Sequence, residues 1–412
     1  MNPLPGFRDF YPDALVVRRY IFEKWRDVAR RYGFREYDGP PLEPLELFTQ
    51  KSGEEIVAQL FNFVDKGGRE VALRPEMTPT FARMVAAHHR DYRKPIKWFA
   101  LPQFFRYEKQ QRGRLREHYQ FNADIVGESG VSADAELISL AIDILRSFGL
   151  TRNDFVVRVS DRAMWRRYLS AAGVADDKQY VALQAIDKME REPVEKTREK
   201  LSSVGLSAPK VDEILSIADG KVAADSPALK EMLGTLGDLA GYCEVDFKIV
   251  RGLAYYTGIV WEIHDRKREL RAIAGGGRYD QLLAQLGGVD LPALGFGMGD
   301  VVLTDLLKNR GLLPKIDWGL DCYVIITEES LRADALKLVH ELRDDGFAVD
   351  YSLTEAKVGK QFQMADALDA RFALTLGPEE WKSGKMKLKR LATGEEATVP
   401  LTNVKEVLRK GE

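Results

Sequence analysis

The chain has 412 residues, enough for two or three domains, and its 61 basic and 63 acidic residues give a net charge of -2. This balance excludes a strongly basic body, so any nucleic-acid contact must use local patches. The sequence has no N-terminal signal core and no apolar run of membrane-spanning length, which predicts a soluble, cytoplasmic protein with no membrane contact. Cys243 and Cys322 lie far apart, so we expect reduced thiols and no zinc site.

An amphipathic helix is predicted near the N-terminus. Apolar residues recur at helical spacing from Val17 to Tyr32, and Gly33 follows where a helix would end. The next segment, residues 37–48, begins at Tyr37, ends at Phe48 and contains three prolines. These prolines exclude a central strand or a helix, so we expect an extended segment at a sheet edge.

Residues 71–84, VALRPEMTPTFARM, predict a short strand followed by a helix. The helix should begin near Pro79, because proline suits the first turn, and Thr78 is a natural cap. Taken alone, Thr78 would be only a cap and Glu76 only a surface charge.

Residues 105–127 predict a hairpin in which aromatic-rich arms enclose a polar loop, residues 109–113. Charged and amide side chains recur at a period of two along the arms, which places each set on one face. These residues are Arg106, Glu108, Gln120, Asn122 and Asp124. Burying such a polar face in the core would cost free energy, so the pattern favours contact with a polar ligand. The alternative is a charged hairpin that faces solvent.

Further along, residues 132–149 predict a core helix and residues 155–159 a strand. Residues 172–239 are helical in pattern and charge-rich, which predicts a solvated helical insertion. Alternation resumes at residues 245–249 and again at 259–263, separated by RGLAYYTG. That interruption places Arg251, Tyr255 and Tyr256 near one strand boundary, where the tyrosines could equally pack in the core with their hydroxyls at its rim.

Three consecutive glycines, residues 275–277, follow a predicted strand at residues 270–274. They would permit close approach of a ligand, but they also suit an ordinary turn. Residues 294–307 then predict a strand followed by a helix. A second α/β unit follows, with strands at 322–326, 348–351, 372–376, 386–391 and 397–399 and helices at 330–343 and 359–368. Its lysines make this unit locally basic and could hold phosphates, or could simply be solvated.

The hairpin resembles the second signature motif of class II aminoacyl-tRNA synthetases, and its residue order is similar to that of the histidyl-tRNA synthetase family. Residues 37–48 resemble the first motif, which builds a homodimer interface in that family, and residues 294–307 lie where the third belongs. KQFQMADALDARFALTLG resembles the family's anticodon-binding domain. The resemblance implies a mixed α/β (α+β) fold with an antiparallel-sheet catalytic core at 1–171 and 241–308. It further implies a helical insertion at 172–240, a linker at 309–320 and a C-terminal α/β anticodon-binding domain at 321–412.

The resemblance also implies ATP-dependent ligation of L-histidine to tRNA(His) through histidyl-adenylate, with Mg²⁺ bridging the phosphates of ATP. Arg106 and Arg251 match the arginines that stabilise charge at the α-phosphate. The matches for histidine binding are Glu76, Thr78, Gln120, Asp124, Tyr255 and Tyr256. The residues expected to bind ATP are Arg106, Glu108, Arg114, Phe121, Arg251, Gly297 and Gly299. Gln111 and Arg112 would contact the tRNA, with Gln111 at the extra 5′ nucleotide of histidine tRNAs.

The sequence departs from the family pattern at several positions. Val302 replaces the third-motif arginine that lies over adenine, and Val301 replaces a glutamate. Ala254 stands where the family usually has aspartate, and Asp124 where it more often has glutamate. If adenine binds without that arginine, its candidate contacts are the ring of Phe121, the cation of Arg278, or close packing against Gly297 and Gly299.

These departures leave rival interpretations. A non-catalytic paralogue, such as the regulatory subunit of ATP phosphoribosyltransferase, would explain Val302. It would not explain the retained Arg106 and Arg251 or the full C-terminal domain. A synthetase-like nucleic-acid-binding accessory protein would explain that domain but not an intact amino-acid pocket.

Overall fold

The computed structural model describes residues 1–49, 59–107, 113, 115–251, 255–315 and 319–410. They form two compact units, Met1–Pro314 and Lys315–Glu412, each with its own apolar core. None of the helices in these ranges combines the length and apolar character that a membrane span requires.

The first unit is built on a large sheet. Within the described residues, nine strands form it, in the order β1-β5-β7-β12-β11-β10-β8-β9, with β6 paired to β7. The strands are β1 Arg35–Glu36, β5 Ile96–Ala100, β6 Gln103–Phe105, β7 Glu117–Val126, β8 Phe155–Asp161, β9 Cys243–Val245, β10 Ile259–Asp265, β11 Ala274–Arg278 and β12 Ala293–Gly299. Only the edge pairs β1–β5 and β8–β9 are parallel among these pairings. The predicted antiparallel-sheet core is therefore confirmed.

Long helices cover one face of this sheet. The predicted N-terminal helix is confirmed as Pro12–Arg31, and it buries Ile21, Trp25, Val28 and Ala29. The predicted core helix is confirmed as Ser132–Ser147, most of whose apolar side chains are buried. Both pack in the same apolar cluster as the central strands, because their apolar residues recur every three or four positions and share one face. The opposite face of the central strands is left to form the floor of a cavity.

The segment at residues 37–48 contributes an edge strand of a small sheet. Within the described residues, three antiparallel strands form it in the order β2-β4-β3: β2 Leu42–Pro44, β3 Asn62–Val64 and β4 Glu70–Leu73. The predicted edge position is confirmed for β2. The expectation that no helix forms here is wrong at Glu46–Thr49, because Pro44 precedes that helical turn and so disrupts none of its hydrogen bonds.

Two strand predictions need correction. Residues 245–249 do not form one strand, since β9 ends at Val245 and a turn follows, in which the Ile249 amide donates to the Asp246 carbonyl at 3.0 Å. The three glycines do not form a turn after a strand. They lie inside β11, and residues 270–273 precede it.

The remaining helices of the first unit include those of the predicted insertion. They are Thr78–His88, Arg162–Ala171, Asp176–Asp187, Val194–Ser203, Ala208–Ala218, Pro227–Leu236, Leu282–Gly287 and Asp300–Asn309, with 3-10 turns at His89–Asp91 and Gly237–Tyr242. The helices between residues 176 and 236 bury Leu183, Ile186, Leu201 and Ile214 in the main cluster and expose their charged faces. The helical pattern predicted there is thus present.

The second unit has a five-stranded sheet, among its described residues, in the order β14-β13-β15-β16-β17. Its strands are β13 Cys322–Ile326, β14 Val349–Tyr351, β15 Phe372–Leu376, β16 Lys385–Arg390 and β17 Glu396–Pro400. Its helices are Arg332–Asp344, Val358–Ala367, Pro378–Lys382 and Val404–Lys410, with 3-10 turns at Glu329–Leu331 and Leu401–Asn403. The predicted strands and two longer helices are present. The two short helices carry too few turns for periodicity to reveal them.

Candidate active site

A cavity of about 690 Å³ lies over the central strands of the first unit. That volume is in the range of sites for small molecules. Its floor is formed by β7, β12, β11 and β10, and its walls come from the segment at residues 75–78, from Arg251, Tyr255 and Tyr256, and from the helical insertion. The site therefore draws on segments that are far apart in sequence.

Glycines form much of this floor. A Cβ atom on Gly275 would lie 2.8 Å from Cζ of Arg251, and one on Gly295 would lie 2.8 Å from Cγ of Asp124. A Cβ on Gly297 would lie 2.6 Å from Cδ of Gln120. These distances are shorter than real Cβ contacts allow. Glycine is required here because charged and amide side chains from neighbouring strands lie flat across the sheet.

The register of β7 explains which predicted residues meet. Gln120 pairs with Gly299, Asn122 with Gly297 and Asp124 with Gly295, and all six of these residues line the cavity. Alternate residues of a strand share one face, so the period of two in the sequence brought these positions together.

Phe121 lies on the opposite face of β7, and its predicted contact with ATP is wrong. Its side chain is fully buried, with ring centroids 5.6 Å from Phe99 and 5.9 Å from Trp25. The residue follows Gln120 directly and so faces the helices that cover the sheet. Arg278 is also excluded as the cation over adenine, because its guanidinium is buried against Asp134 and also pairs with Asp280 at 3.2 Å.

One end of the cavity is lined by carboxylates and tyrosines. The Tyr255 hydroxyl donates to Oε2 of Glu76 at 3.4 Å. Burial raises the pKa of Glu76, although the nearby Arg106 opposes the rise. Thr78 lines the same end, and the expectation that it caps the helix is wrong. It is the first residue of Thr78–His88, where no side-chain cap bond forms. A partly desolvated carboxylate beside hydroxyls is suited to an ammonium group.

Asp124 occupies the floor of this same end. It is nearly fully buried and accepts a hydrogen bond from the Tyr279 hydroxyl. Burial raises its pKa to about 7, even though the bond from Tyr279 favours the ionised form. Tyr256, also buried, and Tyr255 line the space beside it, with ring centroids 5.0 Å apart. This combination fits a small aromatic ring that carries an N–H group.

Two arginines line the middle of the cavity. Nε of Arg106 donates to the Pro75 carbonyl at 2.9 Å, and burial lowers the pKa of Arg106 despite the charge of Glu76. Nη1 of Arg251 pairs with Oε1 of Glu262 at 2.8 Å. Arg251 also has a φ of 61°, a left-handed conformation that is costly for a side-chain-bearing residue and often found at functional sites. Two guanidinium groups in one partly desolvated space favour a phosphate.

Several lining residues were not predicted from the sequence. Glu262 fixes Arg251, and its other oxygen lies 3.0 Å from Nε2 of His264. Burial opposes ionisation of Glu262, but His264 and Arg251 lower its pKa to about 2. Asp187 and Arg191 reach the cavity from the insertion. The strand pattern around Glu262 was visible, but only the β10–β11 register, which pairs Glu262 with Gly275, places it under Arg251.

The far end of the cavity is less polar. Its lining residues are Gly113, Leu115, His118, Arg271, Gly299, Val301 and Val302. Burial, with the charges of Arg106 and Arg8 nearby, lowers the pKa of His118 to about 3, so its imidazole is neutral at physiological pH. Gly297 and Gly299 form the adjoining floor, where they were expected to contact ATP.

An ionic cluster braces this far end. Nε of Arg8 pairs with Oε1 of Glu117 at 2.6 Å, and Nη1 of Arg8 pairs with Oδ2 of Asp300 at 3.0 Å. Asp300 also accepts from the Tyr119 amide at 2.9 Å. Because Glu117 begins β7 and Asp300 begins the helix after β12, the cluster ties these two elements together at this end of the cavity floor.

Four predicted site residues, Glu108, Gln111, Arg112 and Arg114, lie outside the described residues, as does Ala254. The predictions for these positions therefore rest on the sequence.

Family models match both units of the chain. Residues 6–300 match the histidyl-tRNA synthetase model, and residues 321–411 match the anticodon binding domain model.

Similar proteins extend over nearly the whole chain. A histidine–tRNA ligase of Opitutus terrae is 47% identical, with 98% of this chain and 97% of that protein covered. A chloroplastic/mitochondrial histidine–tRNA ligase of Arabidopsis thaliana is 40% identical, with 98% and 86% covered.

Solved structures support the fold. A histidyl-tRNA synthetase of Nostoc sp. has a TM-score of 0.82 at 23% identity, with 99% of each chain covered. A structure from Bacillus halodurans, described as an ATP phosphoribosyltransferase regulatory subunit/histidyl-tRNA synthetase, has a TM-score of 0.73 at 21% identity, with 89% of this chain and 96% of that chain covered. At these identities the likeness concerns the fold alone.

Proposed function

Because this chain belongs to the histidyl-tRNA synthetase family, we propose that the cavity over its central sheet is where L-histidine is activated and transferred. The chain catalyses ATP-dependent ligation of L-histidine to tRNA(His) through a histidyl-adenylate intermediate. The observation that carries the location is the glycine floor, which lets Arg251, Gln120 and Asp124 lie side by side in one groove.

At the histidine end, Glu76 pairs with the α-ammonium group, and Thr78 and Gln120 hold the amino-acid backbone. Tyr255 and Tyr256 bound the imidazole, whose N–H donates to Asp124. The raised pKa of Glu76 supports this assignment, because a buried carboxylate gains most from a cationic partner. The α-ammonium group of the substrate thereby gives Glu76 a directly paired cation.

In the middle of the cavity, the histidine carboxylate attacks the α-phosphorus of ATP, and pyrophosphate leaves with the electron pair of the broken P–O bond. Arg106 and Arg251 stabilise the negative charge that develops on the α-phosphate oxygens. Arg106 is fixed by Pro75 and Arg251 by Glu262, so neither must reorganise during the step. Their contribution is positioning and electrostatics.

Mg²⁺ accompanies ATP in this proposal. The ion prefers oxygen ligands and is usually bound by substrate phosphates with one or two carboxylates. Among the described residues no group of three or more His, Cys, Asp or Glu side chains could hold a metal ion, and both carboxylate oxygens of Glu262 are already engaged by Arg251 and His264, so the phosphates of ATP would hold the ion. When bound, Mg²⁺ would neutralise charge on the phosphates.

The tRNA contacts rest on the sequence. We propose that Gln111 reads the extra 5′ nucleotide of tRNA(His), that Arg112 contacts its backbone and that Glu108 and Arg114 contact ATP. Lysines on the second unit, such as Lys357 and Lys360, would meet the anticodon arm. Homodimerisation through residues 37–48, a cytoplasmic location and the domain boundaries set out above belong to the same proposal.

The regulatory-subunit alternative shares this fold, so the fold does not decide between them. Relatives named histidine–tRNA ligase over almost the whole chain favour the ligase, as does a cavity that retains Glu76, Arg106 and Arg251 together.

The test is histidine-dependent exchange of pyrophosphate into ATP by the purified protein. We expect exchange with L-histidine and none with other amino acids. Absence of exchange at saturating histidine, ATP and Mg²⁺ would instead support the regulatory role.

A further inference from the structure

We propose that Arg271, in the segment just before β11, supplies the cation that covers the adenine base. It would replace the arginine that the family has at the position of Val302. The inference rests on the proposed function, because it assigns a residue to the ATP end of the same cavity. Nothing in the sequence pattern had marked Arg271.

Arg271 lies in the segment that leads into β11, and residues 271–275 all line the cavity. The pairing of β11 with β12 extends one residue ahead of the start of β11, because the Gly299 amide donates to the Ile273 carbonyl at 3.3 Å. Arg271 therefore lies beside the end of β12, where the helix carrying Val301 and Val302 begins.

Arg271 and Val302 both lie close to Gly113. A Cβ atom built on Gly113 would lie 3.6 Å from Cδ of Arg271 and 3.6 Å from Cγ2 of Val302. The aliphatic stem of Arg271 and the side chain of Val302 therefore both lie beside Gly113, and Arg271 is an exposed residue of the cavity lining. Gly113 has a φ of 73°, which favours glycine, so the hairpin backbone approaches both side chains closely.

The chemistry of this end fits a flat heteroaromatic base better than a phosphate. Leu115, Val301 and Val302 offer apolar contact, and His118 offers a neutral ring, since its pKa is lowered to about 3. Arg106 and Arg251, the cations suited to phosphates, lie in the middle of the cavity. A single guanidinium over an apolar slot stabilises a base by stacking and cation–π attraction.

The experiment separates base from phosphate by using adenosine and inorganic tripolyphosphate as inhibitors of the exchange reaction. The variants are Arg271→Ala, Arg271→Lys, and Arg271→Ala combined with Val302→Arg. Arg268→Ala is the matched control, because Arg268 is an exposed cation on the same β10–β11 connection, paired only loosely with Glu190 at 3.8 Å. Histidine affinity by calorimetry checks that each variant retains its fold.

We expect Arg271→Ala to raise the inhibition constant of adenosine about tenfold, the value for loss of a partly desolvated cation–π contact. The constant for tripolyphosphate and the affinity for histidine should be unchanged. Arg271→Lys should lose less affinity for adenosine, since lysine keeps the charge but not the planar group that stacks on the base. Val302→Arg should restore adenosine binding in the Arg271→Ala background, and Arg268→Ala should have no effect.

Unchanged adenosine inhibition in Arg271→Ala would overturn the inference, as would a loss confined to tripolyphosphate, which would place the cation on the phosphates. Failure of the proposed function looks different. In that case the wild-type protein itself shows no pyrophosphate exchange. Adenosine binding is then measured by calorimetry in the same variants, where weaker binding in Arg271→Ala supports the inference and unchanged binding overturns it.

Discussion

The two ends of the cavity are built in different ways. The histidine end is polar: Asp124 and Tyr256 are buried, Glu76 is half-buried, and the hydroxyls of Tyr279 and Tyr255 donate to Asp124 and Glu76. The ATP end has the apolar side chains of Leu115, Val301 and Val302 in its lining, together with the exposed residue Arg271. A buried charge needs a partner at a defined position, whereas a cation that stacks on a ligand at the rim of a cavity can be supplied from a different position in the chain. Departure from the family pattern at Val302 is therefore less damaging than a change at Glu76 would be.

The largest effect should come from the group that joins the two ends. We expect Arg251→Ala to slow adenylate formation about 100-fold to 1,000-fold, as loss of one preorganised donor to a developing charge does in other enzymes. Histidine binding should remain, because Arg251 is assigned to the α-phosphate. Pyrophosphate exchange and calorimetry measure the two quantities separately.

Arg268→Ala is the control for Arg251→Ala, since Arg268 also has a positive φ, 53°, but lies outside the cavity. Full exchange activity in Arg251→Ala would remove Arg251 from the mechanism.

At the histidine end, Glu76→Gln should weaken L-histidine binding by about 2 kcal/mol or more, because the α-ammonium group loses a charged partner in a desolvated site. Adenosine inhibition should be unaffected, which makes this variant the mirror image of Arg271→Ala. Glu70→Gln, at an exposed position of β4, serves as the control. Equal histidine affinity in Glu76→Gln and wild type would place the ammonium group elsewhere.

The affinity for L-histidine should also depend on pH. Burial raises the pKa of Asp124 to about 7, so the carboxyl group keeps its proton below that pH and becomes a full acceptor only above it. Histidine affinity should therefore rise from about pH 6 to about pH 8 and then level off. The substrate imidazole titrates near 6.5 as well, so the informative quantity is the ratio of wild-type to Asp124→Asn affinity. A ratio independent of pH would contradict the role of Asp124.

The smallest effect is expected at Val302 in the otherwise unchanged protein. Val302→Arg should change ATP binding by no more than about 1 kcal/mol in either direction, because Arg271 already occupies the adjoining space and the buried valine must be displaced. ATP titration with saturating histidine measures this. A gain of tenfold or more would show that the site lacks a cation over adenine.

Much of the histidine end was predictable because its signals are local. The period of two along β7 placed Gln120, Asn122 and Asp124 on one face, and the departure at Val302 was visible by position in the motif. The same period should have excluded Phe121, which alternates with them and is buried beneath the sheet.

The rest depended on register between strands distant in sequence. Glu262 reaches Arg251 only because β10 pairs with β11 at Gly275. Arg271 lies near the helix that carries Val302 only because the pairing of β11 with β12 continues one residue before β11, at Ile273. From the sequence, the glycines at residues 275–277 suited either close approach of a ligand or an ordinary turn. Their role as a floor followed only once the side chains lying across them were known.

The most direct test is calorimetric titration with a nonhydrolysable histidyl-adenylate analogue, histidyl-sulfamoyl adenosine, which spans both ends at once. The account predicts that it binds far more tightly than L-histidine or adenosine alone, and that Glu76→Gln and Arg271→Ala each weaken it, with losses that add in the double variant. An affinity no better than that of one fragment, or insensitivity to both substitutions, would contradict the claim that these two ends form a single site.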